Sequence, residues 1–537
     1  MNRSPVFRLL ALAAASVAVL AAAGPSPRPG REEPRSGGMI RIRDRAPASR
    51  PSLDPAVSSW TFPVEQIFEG LVRLDSRLEL VPSLAEYWMI SEDGRRMTFI
   101  LRRGVRFHHG RDLEALDVKA SFERVLKRET KSPYGALLAA KVAGGLAYRD
   151  GLTAEAAGFR VPEKYVFEVI WNSPATASLY LLSMSFCAIL PRDKLAAEGA
   201  GFFDKPSGTG AFRFAHWIRS PKLDIVGVGL ERFTGYHGRK AYLEAIEYSP
   251  YYTVDQFMAG DVDIMPFLSE RMANSGCQAF LGGPFAAAYL TLSCQRAPFD
   301  RQAVRRAVAA AIDRDRLIEA LKGPDKVRRP TSGFLPSGLP GFPPPEEAPS
   351  FEAERARRLL EELGYSAERP FPAVFLFALG PRSEAVIRSC RIIAAQLAEA
   401  GIRADIRTIR TAEDLRPVLT PYLVLTVRSL DVPDADELLR PLFGPGGEPD
   451  RLLTRYESPD MARLLEDASL EKSWSRRIEL FKAMDRILRQ DLPAVPLFTE
   501  EDRLAVRSAV RGLRAPALGW GYLEARDLWL DRREPLP

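Results

Sequence analysis

The sequence predicts an α/β protein built as two lobes of different texture, and three observations carry that expectation. The first half is dominated by short strand-like runs, while from Tyr289 onward helix and strand signals alternate. Short strands and turns return at the C-terminal end, so the chain crosses between the lobes more than once.

The fold is expected to start at Met39, because residues 24 to 37 (GPSPRPGREEPRSG) are rich in Pro, Gly and charge and read as a flexible leader. MIRIRD, GLVRLD and LELVPSL then read as strands, followed after the turn SEDG by RRMTFILRRGVRF. In LEALDVKASFERVLKR, Leu113, Leu116, Val118, Phe122 and Val125 fall near one face, which predicts a helix. YVFEVIWN, AFRFAHW, KLDIVGV and AIEYSPYY are again strand-like.

Beyond YLTLSC (289 to 294) the pattern alternates. Helices are expected in RQAVRRAVAAAIDRDRLIEAL, AERARRLLEELGY and EAVIRSCRIIAAQLAEAG, and strands in AVFLFAL, IRADIRTI and YLVLTV, with ADELLRPLF helical after the last of them. Residues 328 to 349 carry seven Pro and read as a surface loop rather than an element. Two amphipathic helices (459 to 490) and the strand AVPLF (494 to 498) follow.

The N-terminus places Arg3 and Arg8 before an apolar run over residues 9 to 23 that ends in three alanines, the pattern of a cleavable export signal. The alternative, an uncleaved anchor, needs roughly 20 apolar residues. Cys187 is the first cysteine, so no lipid-modified Cys marks the cleavage point. A soluble mature protein in a bacterial periplasm is therefore expected. Loss of residues 1 to 23 lowers the formal charge from +6 by two, and Lys makes up only 13 of the 75 basic residues. Arginine spread along the whole chain does not resemble a nucleic-acid patch. Cys187, Cys277, Cys294 and Cys390 are too few for a disulfide framework. An oxidising compartment allows one bridge, with Cys277 and Cys294 nearest in sequence, and four buried thiols is the other reading.

Enzyme signatures are missing: G-x-S-x-G, H-E-x-x-H and the Walker-type P-loop do not occur, and there are only four His. His108 and His109 fall at a turn between strand and helix, where a polar turn explains them as well as a metal would. The glycines of KPSGTGAFRF precede a strand, so they read as a backbone turn at a lobe crossing rather than a phosphate loop. The acidic run in RSLDVPDADELLRPLF (428 to 443) holds Asp431, Asp434, Asp436 and Glu437 directly behind an apolar strand. Those carboxylates suit a metal, an acid/base pair, a clasp for a cationic group, or the start of the next helix.

Eight blocks resemble one family, in its order, from about residue 38 to 530. They are SLDPAV, EGLVRLD, VPSLAEYWMISEDGRRMTFILRRGVRFHHG, ALDVKASFERVL, PSGTGAFRF, GDVDIMPF, YLTLSCQRAPFDRQAVRRAVAAAIDRDRLI and SWSRRIELFKAMDRILRQDLPAVPLF. The family is the solute-binding proteins of bacterial ABC importers for oligopeptides, dipeptides and nickel. The resemblance implies a two-lobed fold like that of type II periplasmic binding proteins, with three domains that close on a ligand. Domain I would comprise residues 38–72, 205–288 and 498–537, domain II the insertion 73–204, and domain III the α/β lobe 289–497.

In peptide-binding members an Asp just after a domain III strand pairs with the ligand's ammonium, and Asp431 matches that position; a helix-end or salt-bridge role is the other reading. Asp434 or Asp436 is expected to cap the helix ADELLRPLF. Arg382 lies near where dipeptide-binding members carry an Arg for the ligand carboxylate, or is an exposed Arg at a helix start. Ser58, Ser59 and Trp60 fall in the loop that lines the cleft, where Trp60 offers a stacking wall or belongs to the core. The chain departs from the family pattern at Ala211 and Ser293, and Arg428 and Ser429 replace a common Trp beside Asp431, which makes Arg428 a further candidate contact.

The implied function is capture of a peptide or peptide-like solute for ABC permease subunits in the inner membrane. It implies a monomer with no catalytic residue, cofactor, resident metal or nucleic-acid partner. The alternatives are a nickel- or metallophore-binding protein of the same fold, and a secreted hydrolase.

Overall fold

A single strand, Ala494–Val506, runs through both halves of a twelve-stranded sheet. The computed structural model describes residues 33–44, 51–58, 60–75, 78–174, 178–283, 286–323, 326–336, 338–339, 351–380, 384–430, 432–447, 449–471, 473–514 and 518–531. All elements discussed below lie within the unit Ser36–Pro537. No helix among the described residues is long and apolar enough to cross a membrane.

On one side of the long strand the sheet continues through Ala286–Leu292, Tyr422–Ser429, Val374–Leu379 and Ala404–Ile409. The last three strands are parallel to one another, whereas Ala286–Leu292 is antiparallel to both of its neighbours. Alternation along these strands fills two separate cores, as the two-residue period of a strand requires. Tyr289, Tyr422, Val424 and Phe377 face one core with the helices Asp436–Phe443, Pro459–Leu470 and Trp474–Asp491. Leu290, Leu423, Leu425 and Leu376 face the other, with Gln302–Ala310, Ala353–Glu362 and Glu384–Glu399. Burial on both faces explains why YLVLTV is apolar throughout.

On the other side lie Ile264–Met265, Met39–Arg43, Ala245–Ser249, Ile225–Arg232 and Phe212–Arg219. Ile40, Ile42, Ile246 and Tyr248 are buried in a third core, while Arg41 donates to Glu247 at 2.7 Å on the opposite face. One covered face gives alternating strands, and two covered faces give continuous apolar ones. Helices covering both faces of the second half also produce the alternation of helix and strand signals seen in the sequence beyond Tyr289.

Residues 80–170 add a separate antiparallel sheet in the order Ala85–Ile90, Arg96–Leu101, Val166–Ile170, Phe159–Glu163. The helix Ala115–Leu126 packs on it through Phe122, whose ring is 5.5 Å from those of both Phe159 and Phe167. Its first turn is closed by Asp117, which accepts the backbone N–H of Glu114 at 2.9 Å. Leu116 does not share the buried face: it is 46% exposed, whereas Val118, Phe122 and Val125 are buried.

Two further expectations change. The segment read as a loop from 328 begins as the strand Lys326–Pro330, paired with Phe498 to Asp502 of the long strand. Phe334 and Leu335 beyond it are buried, and Tyr289 Oη donates to the Phe334 carbonyl at 2.6 Å. The rest of that segment from 340 to 350 lies outside the described residues. The strand foreseen as AVPLF extends to Val506 because the acidic TEEDR run is satisfied in place: Glu500, 7% exposed, pairs with Lys326 and with Arg328 at 2.7 Å. All four cysteines are free thiols, so Cys277 and Cys294 are not bridged.

Candidate functional site

The strand Tyr422–Ser429 delivers the acidic segment to the end of the α/β sheet. Arg428, the residue paired across from Ala287, places Nη2 2.9 Å from Asp450 Oδ2. Asp431 lies outside the described residues. The remaining carboxylates of the segment have local partners. Asp434, 5% exposed, receives Arg477 Nη1 at 2.7 Å and Nη2 at 3.3 Å, and also accepts the backbone N–H of Asp436 at 3.0 Å. It therefore starts the helix Asp436–Phe443, one of the two roles expected for this pair. Asp436 instead binds Arg440 one turn on, at 2.9 Å, and Glu437 accepts the backbone N–H of Val432 at 2.8 Å.

Arg477 belongs to the helix Trp474–Asp491 and is 2% exposed, with Nε donating to the Ala468 carbonyl at 2.9 Å. A buried guanidinium held by a two-pronged carboxylate and a carbonyl has its donors largely satisfied, the condition under which a buried pair is tolerated. The sequence does not single out Arg477, since its partner is 43 residues away. The ring of Tyr180 lies 5.1 Å from that of Trp474 of the same helix in a tilted contact. Burial, with the nearby charge of Asp434 adding, pushes its phenol up to about 12.

The first-lobe loop is tied down separately. Asp54 forms a two-pronged pair with Arg124, Ser58 Oγ donates to the Ser52 carbonyl at 2.6 Å, and the Trp60 backbone N–H donates to Ser58 Oγ at 2.9 Å. Trp60 is a core residue, 1% exposed, with its ring 5.6 Å from that of Tyr248 in an edge-on contact. In this arrangement it offers no face for stacking. Ser59 and Arg382 lie outside the described residues. Of the six candidates, then, Ser58 and Trp60 sit in one lobe and Arg428 in the other, on either side of the strands Ala286–Leu292 and Ala494–Val506.

His108 and the glycine run are explained by each other. Gly208 donates to His108 Nδ1 at 3.2 Å, and His108 Nε2 lies 3.0 Å from the Gly210 carbonyl oxygen. Burial lowers the His108 pKa to about 4, so the ring is neutral. A Cβ on Gly208 would lie 1.9 Å from the Ile67 carbonyl oxygen. Glycine is required there by close packing against the end of the helix Thr61–Ile67, not by a phosphate.

A cavity of about 310 Å³ opens between the strand-rich lobe and the inserted region. Its wall carries a chain of charges: Arg73 donates to Glu524 at 2.5 Å, Arg526 to the same carboxylate at 3.0 Å and to Tyr236 Oη at 3.0 Å, and Tyr236 to Glu69 at 2.9 Å. Burial and the Glu69 charge raise the Tyr236 pKa, which keeps it a donor. Leu74, Leu78 and Leu518 line the cavity and belong to the same apolar cluster as Leu430 and Ala435, which flank the acidic turn. The sequence does not reveal this cavity, because five distant segments build it.

The family model described as bacterial extracellular solute-binding proteins, family 5 Middle, matches residues 79–450. The dipeptide-binding protein of Escherichia coli (strain K12) is 26% identical over 475 residues, covering 83% of this chain and 86% of that protein. Among solved structures, the unliganded open form of the periplasmic murein tripeptide-binding protein MppA superposes with a TM-score of 0.77 at 21% identity, covering 92% of this chain and 97% of the other. The ABC transporter-associated periplasmic binding protein DppA from Helicobacter pylori, in complex with the peptide STSA, gives 0.68 at 22% identity, covering 93% and 99%. With more than half of its length matched, the chain belongs to the family 5 bacterial extracellular solute-binding proteins.

Proposed function

We propose that this protein captures a peptide or peptide-like solute between its lobes and presents it to the permease subunits of an ABC importer, as a monomer and without covalent chemistry. The solute class is carried over from the Escherichia coli dipeptide-binding relative and from the peptide held by the Helicobacter pylori protein. The observation that carries the reading is the join between the lobes, made through the strands Ala286–Leu292 and Ala494–Val506. So few strands joining the two ends of the sheet suit hinge closure. The higher likeness to an unliganded open form than to a peptide complex supports an arrangement waiting to close.

In this reading domain I comprises 38–72, 205–288 and 498–537, domain II 73–204, and domain III 289–497. An apolar cluster drawn from residues 288–498 supports domain III as a body of its own, as does the shift in strand register between Ala288 and Tyr289. Residues 1–23 act as a cleavable signal that delivers the protein to the periplasm. Asp431 receives the solute's ammonium, with Arg382, Ser58, Ser59 and Arg428 around the solute. Its support is positional, since the residues flanking Asp431 are held, Arg428 by Asp450 and Asp434 by Arg477.

Calorimetric titration with Ala-Ala and Ala-Ala-Ala, followed by chromatography of the recovered peptide, tests this function. The expected result is saturable binding, intact peptide, and a loss of about 2–5 kcal/mol on Asp431→Asn. Hydrolysed peptide, or affinity unchanged in the variant, would refute the corresponding part.

A further inference from the structure

Among the described residues the charged wall of the 310 Å³ cavity is paired except at Glu65 and at the exposed Arg514. Glu524 accepts from Arg73 and Arg526, Asp527 pairs with Arg239, Glu69 is held by Tyr236 with His237 2.9 Å away, and Asp75 accepts the backbone N–H of Glu79. Glu65 differs. It lies half-buried on the helix Thr61–Ile67, lines the cavity, and has no hydrogen-bond or ion-pair partner among the described residues. A carboxylate drawn out of bulk water without a partner is costly. Burial, with Glu524 and Glu69 adding their charges, pushes its pKa up to about 8.

The surroundings of Glu65 otherwise suit a long basic side chain. Val64, Phe68 and Met184 give the cavity an apolar wall for a methylene stem. Among the described residues, neither Ser58 and Trp60 nor Arg428 and Asp434 contribute to the lining. The volume of the cavity falls within the range that accommodates a small ligand group.

We infer that this cavity is the recess for a basic side chain of the solute, a lysine-like ammonium or an arginine-like guanidinium, and that Glu65 is the specificity-determining residue that receives it. The inference rests on the peptide-binding function proposed above. The cation supplies the partner Glu65 lacks, and because only the ionised carboxylate forms the pair, binding displaces its proton below about pH 8.

Calorimetric titrations of the whole protein test this with Ala-Ala-Ala, with its three single-lysine variants, and with the same variants Nε-acetylated, at pH 6 and pH 9. The expected result at pH 9 is a preference for at least one lysine peptide over its acetylated form of about tenfold or more. That preference should shrink at pH 6 and vanish at pH 9 in Glu65→Gln, while Ala-Ala-Ala binds the variant as it binds the wild type. Equal binding of every lysine and acetyl-lysine pair by the wild type overturns the inference and leaves peptide capture standing. A preference that survives Glu65→Gln also overturns it, without depending on the stability of the wild type. Binding of none of the peptides removes the peptide function, and this inference with it.

Discussion

The acidic turn of the α/β lobe and the cavity wall of the strand-rich lobe both gather carboxylates, and Asp434 in the one and Glu65 in the other are treated in opposite ways. Asp434 is almost wholly buried, yet it has a guanidinium and a backbone N–H, and it begins a helix. Glu65 retains more contact with water but has no partner, and its neighbours Glu69 and Glu524 repel its charge. Burial alone therefore does not mark a carboxylate as functional. What separates the two is whether the protein itself completes the interaction.

The sharpest break of this comparison is at Arg477. Replacing it with Met leaves Asp434 buried without its guanidinium, which is expected to cost about 3–5 kcal/mol. Urea denaturation of Arg477→Met should show that loss, and adding Asp434→Leu should recover much of it, because the unpaired charge is then gone. A loss below about 1 kcal/mol in the single variant would mean that Asp434 is no more a structural carboxylate than Glu65.

Much of the fold was legible because it depends on local pattern. The strand YLVLTV, the helix around Phe122 and the change at Tyr289 all follow from periodicity, which is set by which faces are covered. The errors fall where a distant partner overrides the pattern. Phe498 reads as the end of a strand, yet Lys326 and Arg328 pair with Glu500 and let the strand run on. Leu116 reads as core and stands in solvent. The site divides in the same way. The acidic turn stood out as a run of adjacent letters, and a capping carboxylate followed from the helix behind it, but the pairs Asp434–Arg477 and Asp436–Arg440 did not. Glu65 could not be found, because what distinguishes it is the lack of a partner across segments that are hundreds of residues apart.

At Glu65 the comparison predicts a stability effect of opposite sign. Its pKa rises from 4.5 to about 8 on folding, so the native state holds a proton that the unfolded state releases between those values. Stability contributed by that group is full below about pH 4.5 and is lost as pH rises through about 8. Glu65→Gln removes the loss. One pKa unit is worth about 1.4 kcal/mol, and cavity water screens part of the full shift, leaving a gain on the order of 2 kcal/mol at pH 9 and none at pH 4. Thermal unfolding at the two pH values, in protein freed of bound solute, measures it. A destabilised variant at pH 9 would show that Glu65 has a structural partner after all.

Arg428 stands between the two extremes, and the smallest effect is expected there. Its ion pair with Asp450 is partly exposed, 27% and 32% for the two side chains, and such pairs contribute no more than about 1 kcal/mol. Yet its buried Nε has no hydrogen-bond partner among the described residues, which leaves the guanidinium a donor beside the acidic turn. Arg428→Ala should thus lower stability by less than about 1 kcal/mol, and salt near 1 M should erase most of that difference. If the spare donor serves a solute, peptide affinity falls by more than the stability does, and Arg428→Lys, which keeps the charge but not the planar fork, fails to restore it. Equal, small losses in stability and affinity would instead place Arg428 with Asp434, among the residues the protein satisfies by itself.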